Sequence, residues 1–316
     1  MRLVMMGTGG FALPTFQALF RTHHEVVALV TQPLRNERGA TISPLRGIAK
    51  QQGPKIFDPD DVNSPESLAR LKEFEADLFI VADYGQILSS EALATARLGG
   101  INLHGSLLPK YRGAAPINWA LYHGEPVAGV SVIHMTPRID AGPVLAQASL
   151  TVEPEENAPQ LEARLSALGA PLVCEIIDQL EQGPVAEVPQ DISQRTKAPR
   201  LKKQDGTIDW TRSATAIHDQ VRALEPWPKT FTYWHRASGE PLRLILGTVR
   251  VAEGEFAHPP GTVLVAGGET LVVATGSGSL QINSIQPAGK KMQATAEFLR
   301  GYPVAVGDRF GSETLA

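Results

Sequence analysis

A single cysteine, Cys174, stands in a chain of 316 residues. One thiol excludes a disulfide framework and leaves almost no room for a cysteine-ligated metal site. Set in "PLVCEIIDQL", it reads as a small buried apolar residue rather than a nucleophile. Long hydrophobic runs are missing too: none approaches the roughly 18 residues of a membrane helix, so no span is expected. The opening "MRLVMMGTGG" is too short for the core of a secretion signal and lacks a cleavage region. It reads as the first strand of a cytoplasmic protein. The eight histidines show no His-x-His or paired helical spacing, which argues against zinc, and no metal is expected.

What is present is ordinary for a globular protein, with 43% hydrophobic and 20% charged residues. The length suggests about two domains of roughly 150 residues. The net charge of −4 is unevenly spread: from Ala186 onward 15 Lys+Arg face 13 Asp+Glu, so the acidic excess lies before that point. The basic excess gathers in "RTKAPRLKK", Arg195 to Lys203, which carries no anion. Such a run is commonly a solvated segment, but it also suits phosphate and hints at a nucleic-acid partner.

The first half alternates strand-like and helix-like segments: "RLVMMG", "LPTFQALF", "EVVALVT", "SPESLARLKEF", "ADLFIVAD", "GGINLH". "GVSVIHM" and "PVLAQASLTV" read as an antiparallel hairpin, and a long helical pattern follows. Continuous apolar strands alternating with helices predict an α/β fold, a doubly wound and mostly parallel sheet of the Rossmann-like kind. Near Pro184 periodicity lapses and prolines accumulate, as in a linker. Short strands between glycine turns then predict a small β-barrel. The expected division is a first domain over 1–185, a basic linker over 186–204 and a C-terminal barrel over 205–316.

"GTGGFA" from Gly7 follows a strand and opens a helix, close to a dinucleotide fingerprint. That fingerprint needs an acid at the end of the second strand to hold a ribose. Here the strand ends Thr31-Gln32-Pro33, so no nicotinamide cofactor is expected. The loop serves close packing of helix on strand, or brings backbone amides near another ligand.

Ligands of doubly wound sheets sit beyond the carboxyl ends of the strands. "INLHG" puts Asn102 and His104 there, and the spacing of two puts them on one face. Asp140 follows the hairpin's first strand. An amide donor, a proton carrier and a carboxylate suit oxyanion stabilisation and proton movement in acyl transfer. Each alone is weaker than the set: a histidine at a strand end is often structural, and an asparagine before a turn often braces a loop. Ser106 has no independent claim to be a nucleophile.

"NLHGSLLPKYRGAAPINWAL", with the later Asp140 and Gly142, resembles the signature of formyltetrahydrofolate-dependent formyltransferases. "GTGGFA", "VTQP", "ADYGQILS", "IDW", "PWP" and "QPAGKKM" extend the resemblance over essentially the whole chain, toward the members acting on methionyl initiator tRNA. The resemblance implies transfer of a formyl group from 10-formyltetrahydrofolate, as a substrate, to the α-amine of the charged methionine. It implies Asn102, His104 and Asp140 as catalytic residues. It places the folate along Ala82, Asp83, Tyr84, Gly85, Gln86, Ile87 and Leu88 and the turn Ser106, Leu107, Leu108, Pro109. Arg38 matches a basic loop position that meets the tRNA acceptor end; with the barrel, Arg195, Lys197, Arg200, Lys202, Lys203, Lys290 and Lys291 are the other expected tRNA contacts. A cytoplasmic monomer is expected. Departures from the family pattern are Gly9-Gly10 where Pro usually follows Thr8, Asp83 at a usually small neutral position, Arg138 where Gly is frequent, and a slightly shorter loop at Arg38. Enzymes acting on a glycinamide nucleotide or an amino sugar, and a noncatalytic RNA-binding relative, are the competing readings.

Overall fold

The computed structural model describes residues 1–34, 43–236, 240–252 and 258–314. Two compact units are present. The first holds Met1–Ile117, Pro126–Val152 and Gln160–Arg200; the second holds Asn118–Glu125, Glu153–Pro159 and Leu201–Ala316.

The first unit is built on β1 (Arg2–Met6), β2 (Glu25–Val30), β3 (Lys55–Phe57), β4 (Leu78–Val81), β5 (Gly100–His104), β7 (Val127–His134) and β8 (Val144–Thr151), in the order β3-β2-β1-β4-β5-β7-β8. The short strands β6 (Arg112–Gly113) and β9 (Lys197–Ala198) pair with each other. Pairing is parallel from β3 to β5 and antiparallel through β7 and β8. All four residues of β4, and all but the first of β1, are buried, as expected of strands covered on both faces. β8 alternates between half-buried and exposed residues, as an outer strand does. Helices α1 (Leu13–Leu19), α2 (Pro44–Gln52), α3 (Pro65–Lys72), α4 (Ser90–Leu93), α5 (Pro116–Tyr122) and α6 (Ala158–Gln182) connect the strands. Ser64 caps α3 by accepting from the Ser67 amide, and Pro65 fills its first turn, where a missing N–H costs nothing. Gly169 of α6 faces Leu103 so closely that a Cβ would come within 2.7 Å of it.

From β1 the chain runs outward to β2 and β3, then returns to the other side of β1 for β4 and β5. The sheet therefore has its topological switch point between β1 and β4, and the loops beyond their carboxyl ends open a crevice there.

The second unit contains α7 (Ala214–Ala223), α8 (Thr295–Gly301) and only antiparallel ladders between its named strands. These are β10 (Thr230–His235), β11 (Leu242–Leu246), β12 (Val249–Ala252), β13 (Val263–Gly267), β14 (Thr270–Ala274), β15 (Ser279–Ile282), β16 (Ser284–Pro287), β17 (Gln293–Ala294) and β18 (Arg309–Gly311). One sheet runs β17-β16-β11-β10-β18, the other β12-β15-β14-β13, and a Thr262–Arg309 bridge joins their ends. Their shared core includes Trp210, Trp234, Leu244, Leu271, Phe298 and Phe310.

The segment expected as a linker carries structure: Ile192–Gln194 form a 3-10 turn, and Lys197–Ala198 add a strand to Arg112–Gly113 in the first unit. Its lack of periodicity hides this, because the pairing is two residues long and uses one buried side chain, Ala198.

Candidate active site

β5 carries Asn102 and His104 on one face at its carboxyl end. Asn102 pairs with Val81 of β4 and Ile133 of β7, and His104 with Ser131. His104 is buried, and its Nε2 lies 2.9 Å from the carbonyl oxygen of Tyr111. A carbonyl only accepts, so Nε2 carries the proton and Nδ1 is the basic edge of the neutral ring. Nδ1 faces Asp140 Oδ1 at 3.6 Å, close enough for charge to matter but outside hydrogen-bond reach. The Asn102 side chain has no hydrogen-bond partner among the described residues.

The Tyr111 carbonyl orients His104, while Asp140 Oδ2 accepts from the Gly113 amide at 2.8 Å. Asp140 adopts φ +49°, and Gln190 Nε2 donates to the carbonyls of Asp140 (2.9 Å) and Gly142 (2.7 Å). Gln190 Oε1 accepts from Arg112 Nε and a terminal nitrogen at 3.0 and 2.6 Å. The Tyr111 amide donates to Thr196 Oγ1, and a Cβ on Gly113 would sit 2.4 Å from the Ala198 oxygen. Residues 190–198 thus clamp the loop that positions both His104 and Asp140. Sequence reasoning missed Gln190 and Thr196; the one signal was polar side chains, two glutamines and a threonine, in an aperiodic, proline-rich stretch.

The turn Ser106–Pro109 is held from beneath by Ser131, also missed. Its hydroxyl donates to the Ser106 carbonyl at 2.6 Å and accepts from the Leu108 amide at 3.0 Å and Gln147 Nε2 at 2.8 Å. Gln147 also donates to the Leu108 carbonyl. Ser106 Oγ donates to the Lys110 carbonyl, which occupies it within the turn.

The loop Ala82–Leu88 leaves β4 at the switch point. Its backbone is tied to the glycine loop after β1: the Thr8 amide donates to the Asp83 carbonyl, and Thr8 Oγ1 and Gln32 Nε2 both donate to the Tyr84 carbonyl. Gln86 accepts from the Val62 amide and donates to the Pro59 carbonyl. Asp83 (φ +46°) and Gly85 (φ +87°) make the bend, and Ile87 is exposed. Asp83 has exposed surface but is crowded by protein; desolvation pushes its carboxyl up to about 6, opposed by one hydrogen bond from the Gly9 amide. Glu162 of α6 is raised as well, by burial first and by the nearby Asp83 charge second.

Cys174 is half-buried, and burial raises its thiol, with Asp178 adding to the effect; it is far from a reactive thiolate. Arg195, Lys197 and Arg200 are exposed in the first unit, and Lys202, Lys203, Lys290 and Lys291 are exposed in the second. Arg38 lies outside the described residues. Among those described, no helix is long and apolar enough to cross a membrane.

A doubly wound sheet with a histidine, an amide and a carboxylate gathered beyond its carboxyl edge, followed by a unit of antiparallel strands, defines a two-unit group-transfer protein. Residues 1–177 match the formyl transferase family and residues 200–303 its C-terminal domain. The chain belongs to the formyl transferase family. It is 41% identical to the methionyl-tRNA formyltransferase of Rhodopirellula baltica over 98% of this chain and 96% of that protein. With that of Geobacter sulfurreducens the identity is 39%, over 98% and 97%. Among solved structures, the N-formyltransferase from Helicobacter canadensis, in complex with folinic acid and dTDP-3-aminofucose, superposes with a TM-score of 0.66 at 16% identity, over 89% of this chain and 98% of that one. HypX from Aquifex aeolicus, in complex with tetrahydrofolic acid, gives 0.61 at 16% identity, over 96% and 48%. At such identities these two likenesses speak for the fold alone.

Proposed function

We propose that this protein transfers the formyl group of 10-formyltetrahydrofolate to the α-amine of methionyl initiator tRNA. The observation that carries the chemistry is the wiring of His104: Nε2 is committed to the Tyr111 carbonyl, so Nδ1 is the only ring atom free to take a proton, and it faces Asp140. The full-length similarity to methionyl-tRNA formyltransferases carries the choice of acceptor.

In this reading the neutral amine attacks the formyl carbon, and the carbonyl oxygen becomes an oxyanion. Asn102 donates its side-chain amide to that oxygen, in a setting where preorganised donors act most strongly. His104 Nδ1 receives the amine proton, directly or through a water, and the Asp140 carboxylate stabilises the positive charge that develops on the ring. The proton then goes to the departing folate nitrogen as tetrahydrofolate leaves. The backbone of Ala82–Leu88 and the turn Ser106–Pro109 hold the folate at the switch point. Arg195, Lys197, Arg200, Lys202, Lys203, Lys290 and Lys291, with Arg38, meet the phosphates of the tRNA. The enzyme works as a monomer in the cytoplasm, where the tRNA is charged.

The test is transfer of labelled formyl from 10-formyltetrahydrofolate to methionyl-tRNA, with uncharged tRNA and free methionine as controls. Label that stays with the charged tRNA through acid precipitation and is released by mild alkali, as an aminoacyl ester requires, supports the reading when neither control carries it. Equal labelling of free methionine, or none of the charged tRNA, refutes it.

A further inference from the structure

At the opposite end of the sheet from the candidate active site, the amino-terminal ends of β1 and β2 meet the last two turns of α6. His23 and His24 precede β2, with ring centroids 4.0 Å apart, and face Asp178 and Glu181. One nitrogen from each histidine and one oxygen of Glu181 lie within 4.8 Å of one another. The helix carbonyls at this end are themselves negative, so two carboxylates there call for a cation. The positive group at the spot is the Met1 ammonium, 3.0 Å from His24 Nδ1 and 2.9 Å from Glu181 Oε1.

We propose that His23, His24 and Glu181 form a binding site for a divalent transition metal of the zinc class, with Asp178 orienting His24. His24 Nε2 lies 3.0 Å from Asp178 Oδ1. That contact fixes the proton on Nε2 and leaves Nδ1 as a lone pair, the outer carboxylate–histidine pairing that metal-ligating imidazoles ordinarily have. His24 Nδ1 is 3.6 Å from Glu181 Oε1, and His23 Nε2 is 2.7 Å from Glu181 Oε2. Ligands bound at about 2.0–2.1 Å in a tetrahedral site stand roughly 3.3 Å apart; both histidine–Glu181 separations lie within about 1 Å of that, and the metal would take the place of the Met1 ammonium between His24 and Glu181. The His24 side chain is fully buried while that of His23 is 64% exposed, so one wall is rigid and the other open to solvent. The histidine spacing alone argued against zinc because the oxygen ligand comes from α6, far along the chain.

The test is calorimetric titration of untagged full-length protein with Zn2+ after treatment with a chelator, repeated with Co2+ by visible absorption. One equivalent of Zn2+ should bind, with the intense visible bands of a four-coordinate Co2+ complex. His23→Ala, which removes an exposed side chain and should fold normally, should weaken binding at least tenfold, as should Glu181→Gln. Asp178→Asn should weaken it by about 10–100-fold through loss of the outer partner. Cys174→Ser should bind as the parent does. Absence of saturable binding, parent-like affinity in His23→Ala, or loss of binding in Cys174→Ser overturns the proposal.

Discussion

Replacing Ser131 by alanine removes one oxygen and three hydrogen bonds from beneath the Ser106–Pro109 turn. The site is fully buried, so water cannot take the place of the hydroxyl. A hydrogen bond contributes about 0.5–1.5 kcal/mol net, and a buried donor left without a partner costs about 1–3 kcal/mol. The Leu108 amide becomes that donor. The Ser106 carbonyl loses its bond to Ser131, and Gln147 keeps only its bond to Leu108. The sum is a loss of about 2–4 kcal/mol, concentrated in the turn. Amide exchange reads that loss directly. Peptides spanning 104–113 should exchange on the order of 30–1000-fold faster if opening follows that loss, since every 1.4 kcal/mol is tenfold, and folate affinity should fall with it. Gln147→Ala, at an exposed position, should cost about 1 kcal/mol or less. Unchanged exchange in 104–113 with unchanged folate affinity would refute the claim that Ser131 holds the turn.

His104→Ala should lower single-turnover formyl transfer by about 10²–10³-fold while circular dichroism stays as in the parent; near-parental rates remove the ring from the mechanism. Asp140→Asn should lower the transfer rate more than folate affinity, because the bonds from Gln190 go to backbone oxygens and survive the change; a collapse of folate binding with the rate intact reverses the assignment. Asp83 titrates near 6 in the folded protein against about 3.9 unfolded. The folded state therefore holds the extra proton between those values, and stability falls as pH rises through that window. Melting temperatures of Asp83→Asn and the parent should diverge in favour of the variant from about pH 4 to 6 and then run parallel; a constant offset contradicts the assignment. Replacing Arg195, Lys197, Arg200, Lys202 and Lys203 with glutamine should reduce the salt slope of methionyl-tRNA binding by roughly 0.7–0.9 per lost phosphate contact and leave folate affinity unchanged; superimposable salt plots mean these cations touch nothing.

The doubly wound sheet was legible because its strands are buried on both faces and so read as unbroken apolar runs. The β7–β8 hairpin and α6 were legible from alternation and helical spacing. Asn102 and His104 share a face for the same elementary reason, the two-residue period of a strand. What escaped is of another kind. Gln190 joins Arg112, Asp140 and Gly142 through one side-chain amide over long sequence separations, and Ser131 looks like any small residue in an apolar strand. Such ties have no periodicity, and each depends on where the backbone has already been placed. Helix α8 also escaped, being two turns long and anchored through Phe298 rather than by a repeating stripe.

Two of the departures from the family pattern turn out to be one. Asp83 stands where a small neutral residue is usual, and its carboxylate projects over the glycine loop after β1. A Cβ at position 9 would lie 1.7 Å from Asp83 Oδ2, so a side chain there would force the carboxylate to turn away. The Gly9 amide, which a proline could not offer, donates to that carboxylate. In the orientation it adopts, the aspartate uses both properties of its partner: no side chain and a free N–H. The switch-point crevice keeps its usual backbone ties, Thr8 to Asp83 and Tyr84, while its wall gains a carboxyl that is half protonated near pH 6. Asn102, His104 and Asp140 keep the family pattern, while Gly9 and Asp83 depart from it together, as a matched pair on the wall of the crevice.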